Sequence, residues 1–265
     1  MDKTYSGITY NAQNIDHNYG ENVHLLNNPH LLHLLSILSQ DQCTQPTFTT
    51  LVRKSYQLLL DELINLYLVR AQRSITTRMQ APLNGELLDL KQKVVSVDLA
   101  RAGMVPSQEI YEHLNYLLPF ENLRQDHFYA ARVVNDQGHV IGTDISGSKI
   151  GGPVENATVI FPDPMGATGG TIVEAVNHYK NNVEGRAKNF IALHLIVTPE
   201  YIQRIKKDVP EVKIIAGRLD RGLSSKKALS SPPGTYPEEE RGLNESQYIV
   251  PGAGGIGELL NQSFV

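Results

Sequence analysis

The chain has 265 residues, 41% hydrophobic and 20% charged, and its 24 Lys or Arg against 28 Asp or Glu leave a formal charge of −4. This is the make-up of an ordinary folded globular protein rather than a disordered one, and its weak acidity argues against a protein that grips nucleic-acid phosphates. A single cysteine, Cys43, excludes an internal disulfide and a multi-thiolate metal site.

A reducing compartment follows from that cysteine usage, and a cytoplasmic location is expected. Even the apolar stretch Phe190–Val197 falls far short of the roughly 20 residues of a membrane-spanning helix, so no membrane association is expected. The first residues lack the basic start and apolar run of a secretory signal.

Residues 1–27 are polar and without a sustained period, and read as an N-terminal extension ahead of one domain over 28–265. From Phe48, the apolar residues Val52, Tyr56, Leu59, Leu60, Leu63 and Tyr67 recur at intervals of three and four, which predicts a helix with one buried stripe. Lys93–Leu99 is short, rich in β-branched residues and followed by Gly103, as a buried strand would be. A helix over about Ser107–Leu118 comes next.

Further strands are predicted at His127–Val134, Thr158–Phe161, Phe190–Val197 and Val212–Leu219, with helices at Thr171–Asn182 and Pro199–Lys207. Thr198-Pro199 forms an N-cap and first-turn pair, and Pro210 stops that helix. Such alternation predicts an α/β fold whose mostly parallel central sheet is flanked by helices. Asn135–Glu155, with Gly138, Gly142, Gly147, Gly151 and Gly152, reads as a surface loop, and Ser224–Arg241 reads as a loop insertion near 224–241.

The chemistry concentrates in Thr158-Val-Ile-Phe-Pro-Asp-Pro-Met-Gly-Ala-Thr-Gly-Gly-Thr171, which passes from a strand through a small-residue turn into an amphipathic helix. Gly166, Ala167, Gly169 and Gly170 allow backbone N–H groups to come close to an anion. Thr168 and Thr171 add hydroxyls, and the helix adds the positive end of its dipole. Asp163, at the strand's carboxyl end, is placed to accept hydrogen bonds from sugar hydroxyls. The plain alternative is a glycine-rich turn that only reverses the chain. No Lys follows the glycines, so a triphosphate-hydrolysing loop is disfavoured.

Asp163 to Thr171 resembles the signature Asp-Pro-Met-x-Ala-Thr-Gly-Gly-Ser/Thr with which the uracil phosphoribosyltransferases, within the type I phosphoribosyltransferases, bind 5-phosphoribosyl 1-diphosphate (PRPP). Asn28-Pro-His-Leu-Leu, Leu99-Ala-Arg-Ala-Gly-Met104, Arg221-Gly-Leu, Arg241-Gly-Leu-Asn and Tyr248-Ile-Val-Pro-Gly extend the likeness in the family's order. The resemblance implies the type I fold with a small hood built from the amino-terminal helix and the carboxy-terminal loop. It also implies transfer of the phosphoribosyl group of PRPP to uracil, giving UMP and pyrophosphate in pyrimidine salvage.

Residue by residue, the resemblance implies that Asp163, Pro164, Met165, Gly166, Ala167, Thr168, Gly169, Gly170 and Thr171 hold the ribose and 5′-phosphate. Arg101, with Ala102 and Gly103, would hold the pyrophosphate, and Arg132, in Tyr129-Ala-Ala-Arg-Val, would be a second PRPP arginine. Two arginines can share a departing diphosphate through charge-assisted hydrogen bonds, whereas an isolated arginine at a strand end reads as a solvated surface charge. Asp163 and Arg101 are the implied catalytic pair, and Ile249, Gly254, Gly255 and Ile256 the implied uracil contacts. Mg²⁺ carried mainly by PRPP, without a dedicated metal residue, GTP as an activator, and a homodimer or larger homo-oligomer belong to the same expectation.

The base-selecting loop departs from the family's Tyr-Ile-x-Pro-Gly-Leu-Gly-Asp-Ala-Gly-Asp-Arg. Here Gly255 replaces the first Asp, Ile256 the Ala, and Glu258-Leu259 the Asp-Arg pair. The loop is therefore expected to miss the negative group that the family carries at position 255 and to be more flexible there. Two alternatives stay open: a PRPP-binding regulator without turnover, and a phosphoribosyltransferase with a different acceptor base. His30 and His33 lack a third ligand and read as surface or packing residues. Cys43 reads as a passive thiol, and His178 and His194 as ordinary interior or rim residues.

Overall fold

Residues 1–27 are not only an extension, because Val23–Leu25 forms strand β1 at one edge of the main sheet, parallel to a strand near residue 214. Val23 and Leu25 are buried while His24 between them is not, so one short apolar alternation inside a polar segment is enough to seat it. The computed structural model describes residues 4–134 and 140–263, with side chains outside 131–144.

Asn28 opens helix α1 (Pro29–Leu38) as its N-cap, accepting the N–H of Leu31 at 3.0 Å, with Pro29 in the first turn. Helix α2 (Thr47–Tyr67) buries Phe48, Val52, Tyr56, Leu59, Leu60 and Leu63, the stripe predicted from the sequence. Strands β2 (Arg70–Thr76) and β3 (Pro82–Leu88) then form a separate antiparallel hairpin. Sequence reading missed this hairpin because both of its faces are largely exposed and carry no apolar alternation.

Strand β4 (Lys93–Ala100) is buried from Val94 to Leu99. Helix α3 (Met104–Leu114) begins three residues before the predicted Ser107, because the Ser107 N–H already bonds the Gly103 carbonyl at 2.8 Å. Strand β5 (Leu123–Val134) continues into β6 (Val140–Lys149), antiparallel to it. Residues 140–149 of the expected 135–155 loop are therefore an edge strand, while residues 135–139, including Gly138, lie outside the described residues. Its glycines hid it. An edge strand needs only backbone pairing, and here the register shifts between Tyr129 and Ala130.

The remaining elements are β7 (Ala157–Pro162), β8 (Met165–Gly166), α4 (Gly170–Asn182), β9 (Asn189–Val197), α5 (Pro199–Asp208), β10 (Lys213–Leu219) and two short helices, α6 (Lys226–Leu229) and α7 (Ile256–Asn261). Thr198 caps α5 by accepting the Tyr201 N–H at 3.0 Å, as read from Thr198-Pro199. The 224–241 segment holds α6 and is tied down by Arg221, whose guanidinium donates to Glu240 at 3.0 Å and to the carbonyls of Ala228 and Ser231 at 2.8 Å.

The main sheet runs β1-β10-β9-β7-β4-β5-β6, with β8 beside β9. Every pair is parallel except β5 with β6. Leu193 and Leu195 of β9 join one core with α1, α2 and α3, while Phe190, Ala192 and Val197 join the other with α4 and α5. Helices thus cover both faces, which is why β7 and β9 read as continuous apolar runs. Ile249, Ala253 and Ile256 of the C-terminal loop pack into the α1–α2 core. Among the described residues, no helix is long and apolar enough to cross a membrane.

Candidate functional site

Parallel strands release their loops at a common end, and here three of those loops enclose a cleft of about 750 Å³. The first leaves β7. Asp163 follows the strand directly, and its backbone N–H reaches back to the carbonyls of Phe161 and Leu193. Asp163, Met165, Ala167, Thr168, Gly169 and Thr171 line the cleft.

Gly169 precedes α4 with φ +81°, a left-handed conformation that a side chain would strain. The first amides of α4 have no carbonyl of their own helix to bond and remain available to an anion.

Pro164, Gly166 and Gly170 are not on the wall; at least the first two work from behind it. The Pro164 carbonyl accepts the N–H groups of Leu195 and Ile196, each at 3.1 Å. A Cβ at Gly166 would lie 2.8 Å from Val197 Cγ1 and 3.1 Å from the Tyr201 ring, so only glycine lets the loop lie this close to the β9–α5 junction. Thr198 Oγ1–H donates to the Ala167 carbonyl at 2.7 Å and the Thr198 N–H to that of Gly166 at 3.0 Å. The cradle is thereby bonded to the sheet along its length.

The second loop follows β4. Arg101 and Ala102 face the cleft, whereas Gly103 closes the turn by donating its N–H to the Leu99 carbonyl at 2.9 Å. Arg101 Nη1 donates to Ser263 Oγ at 2.6 Å and to its carbonyl at 3.1 Å. Arg132 sits on β5 opposite Thr143, and its side chain lies outside the described residues.

The third wall is the C-terminal loop, where Ile249, Gly254, Gly255 and Ile256 all face the cleft. It is held by the Arg218–Asp220 pair, joined at 2.7 and 2.8 Å. Asp220 accepts the Gly252 N–H at 2.7 Å, and Arg218 donates to the Gly252 carbonyl at 2.9 Å. Gly255 brings no carboxylate to the wall, as expected, but Glu258, three residues on, lines the cleft as well. Gln247, Tyr248, Gly257 and Tyr201 are further wall residues to which the sequence assigned no role.

His194, read as an ordinary interior residue, is wired to the site. It is fully buried, with Nδ1 2.5 Å from the Asp163 carbonyl oxygen and Nε2 2.6 Å from the Tyr201 hydroxyl. A carbonyl only accepts, so Nδ1 carries the proton, and Nε2 accepts from Tyr201. Burial pushes the imidazole pKa down to about 4, the hydrogen bond to Asp163 opposing only part of this. Burial, and then the Asp163 charge, push the Tyr201 phenol upward.

A lowered folded pKa means that the unfolded chain binds more protons between pH 6.5 and 4, so this histidine's contribution to stability is lost as pH falls through that window. The wild-type melting temperature is expected to drop more steeply there than that of His194→Gln. Parallel curves in thermal melts across pH 4–7 would remove this role.

No three His, Cys, Asp or Glu side chains converge as a metal cluster among the described residues. Cys43 is not on the cleft wall, and burial pushes its thiol pKa up.

The family model described as uracil phosphoribosyltransferase matches residues 25–235. The uracil phosphoribosyltransferase of Campylobacter curvus is 26% identical over 249 residues, covering 90% of this chain and 97% of its own length. That of Ligilactobacillus salivarius is 27% identical over 248 residues, covering 89% and 96%. A solved structure of an Aquifex aeolicus protein superposes with a TM-score of 0.68 at 20% identity, over 90% of this chain and 97% of that one. With a match over most of its length, and with the cradle, the arginine turn and the C-terminal loop meeting in one cleft, the chain belongs to the uracil phosphoribosyltransferase family.

Proposed function

We propose that the protein transfers the 5-phosphoribosyl group of PRPP to uracil, forming UMP and pyrophosphate. One observation carries the reading: an anion cradle with a carboxylate at its head, an arginine turn and the C-terminal loop all open into the same cleft. The 5′-phosphate rests on the amides that begin α4 and on the hydroxyls of Thr168 and Thr171. Asp163 accepts the ribose hydroxyls, and Arg101 meets the diphosphate with a planar donor fork.

During transfer the C1′–O bond breaks and its electron pair leaves with pyrophosphate, while uracil N1 bonds to C1′ and gives its proton to solvent. The ribose passes through an oxocarbenium-like state. Fixed donors around the growing negative charge act without reorganising, which is where catalysis gains most. Asp163 supplies a hard oxygen donor of the type suited to Mg²⁺, which would otherwise ride on phosphate oxygens and water. When bound, that ion neutralises charge on the leaving group.

The test is incubation of the purified protein with PRPP, Mg²⁺ and a panel of free bases. UMP and pyrophosphate in equal amounts, with uracil preferred, are expected. PRPP binding without a nucleotide product from any base would favour the regulator, and product from another base alone would reassign the acceptor.

A further inference from the structure

Gly255 and Glu258 occupy one volume between them. A Cβ built on Gly255 would collide with Glu258 Oε2 and stand 2.7 Å from Cδ and 3.3 Å from Oε1. The Glu258 carboxylate therefore fills the place that a side chain at 255 would take, on the cleft wall. Two residues away, a Cβ at Gly257 would be 3.2 Å from Ala102 Cβ, so this part of the loop lies directly against the arginine turn. The carboxylate stands where the C-terminal loop meets the arginine turn, on the wall that the two share.

We infer that Glu258 is the specificity-determining carboxylate of the acceptor subsite, accepting a ring N–H of the incoming base, and that Gly255 leaves room for it. The inference rests on the proposed transfer to a base. An ionised carboxylate has only acceptor sites, so it favours a ring edge that presents N–H and opposes one that presents only carbonyl or ring-nitrogen lone pairs. Uracil offers N–H between carbonyls. Glu258 is half-buried at the wall and, with Asp163, is one of its two acids among the described residues.

Gly255 has φ −80°, which alanine adopts freely, and the atoms in its way are the far end of a flexible side chain. Gly255→Ala therefore moves the carboxylate and leaves its charge, whereas Glu258→Gln keeps the shape and removes the charge. Each is expected to raise KM for uracil about tenfold or more, as loss of a charged hydrogen bond does, with KM for PRPP within about twofold. The double variant should be little worse than either single one.

If wild type makes UMP and both variants keep its uracil KM, or lose uracil and PRPP affinity alike, the inference is overturned and the proposed function stands. If wild type makes no UMP, the reading beneath it is what has failed.

Discussion

Asp163→Asn is expected to lower kcat/KM for phosphoribosyl transfer about 100-fold while circular dichroism and melting show an intact fold. Asp163 is the first residue beyond β7, with its backbone bonded to Phe161, Leu193 and His194. The amide keeps the shape and one acceptor oxygen but loses the charge. A carboxylate shared by two ribose hydroxyls makes charged hydrogen bonds of roughly 1.5–3 kcal/mol, and weakening both accounts for a factor of about 100. Steady-state kinetics with varied PRPP would check it, and unchanged constants would count against the ribose role.

Arg101→Ala should act chiefly on the donor, raising KM for PRPP by about 10- to 100-fold with a much smaller change in KM for uracil. The guanidinium is already directed at oxygen acceptors, since Ser263 offers both its hydroxyl and its carbonyl to Nη1. A diphosphate supplies the same kind of acceptor with charge added. Arg101→Lys keeps the charge but gives up the fork, so it should fall between wild type and alanine. Equal loss of both substrates would show that the turn had collapsed instead.

The cradle was legible because its function dictates its residues. A backbone that must approach an anion needs small residues, and the turn into α4 needs a glycine at 169. The helical stripe of α2 and the buried strands β4, β7 and β9 were legible for the same physical reason, periodicity imposed by burial. Strand β6 was not, since an antiparallel edge strand is specified by its neighbour's backbone and tolerates glycine.

The supports of the C-terminal loop were equally hidden. Asp220 and Arg218 clamp Gly252 across more than thirty positions, which no local pattern encodes. His194 looked ordinary for that reason too: its partners, Asp163 and Tyr201, become neighbours only when β7, β9 and α5 pack. Comparing the loop with its family position by position suggested a missing charge. The fold shows a carboxylate three residues later turned into the same space.

The most direct measurement is a crystal structure of the protein grown with PRPP and Mg²⁺. The 5′-phosphate is expected within hydrogen-bond distance of the amides at the start of α4, the ribose hydroxyls on Asp163, and the diphosphate beside Arg101. PRPP bound elsewhere on the surface, or a cradle left without phosphate at saturating PRPP, would contradict it.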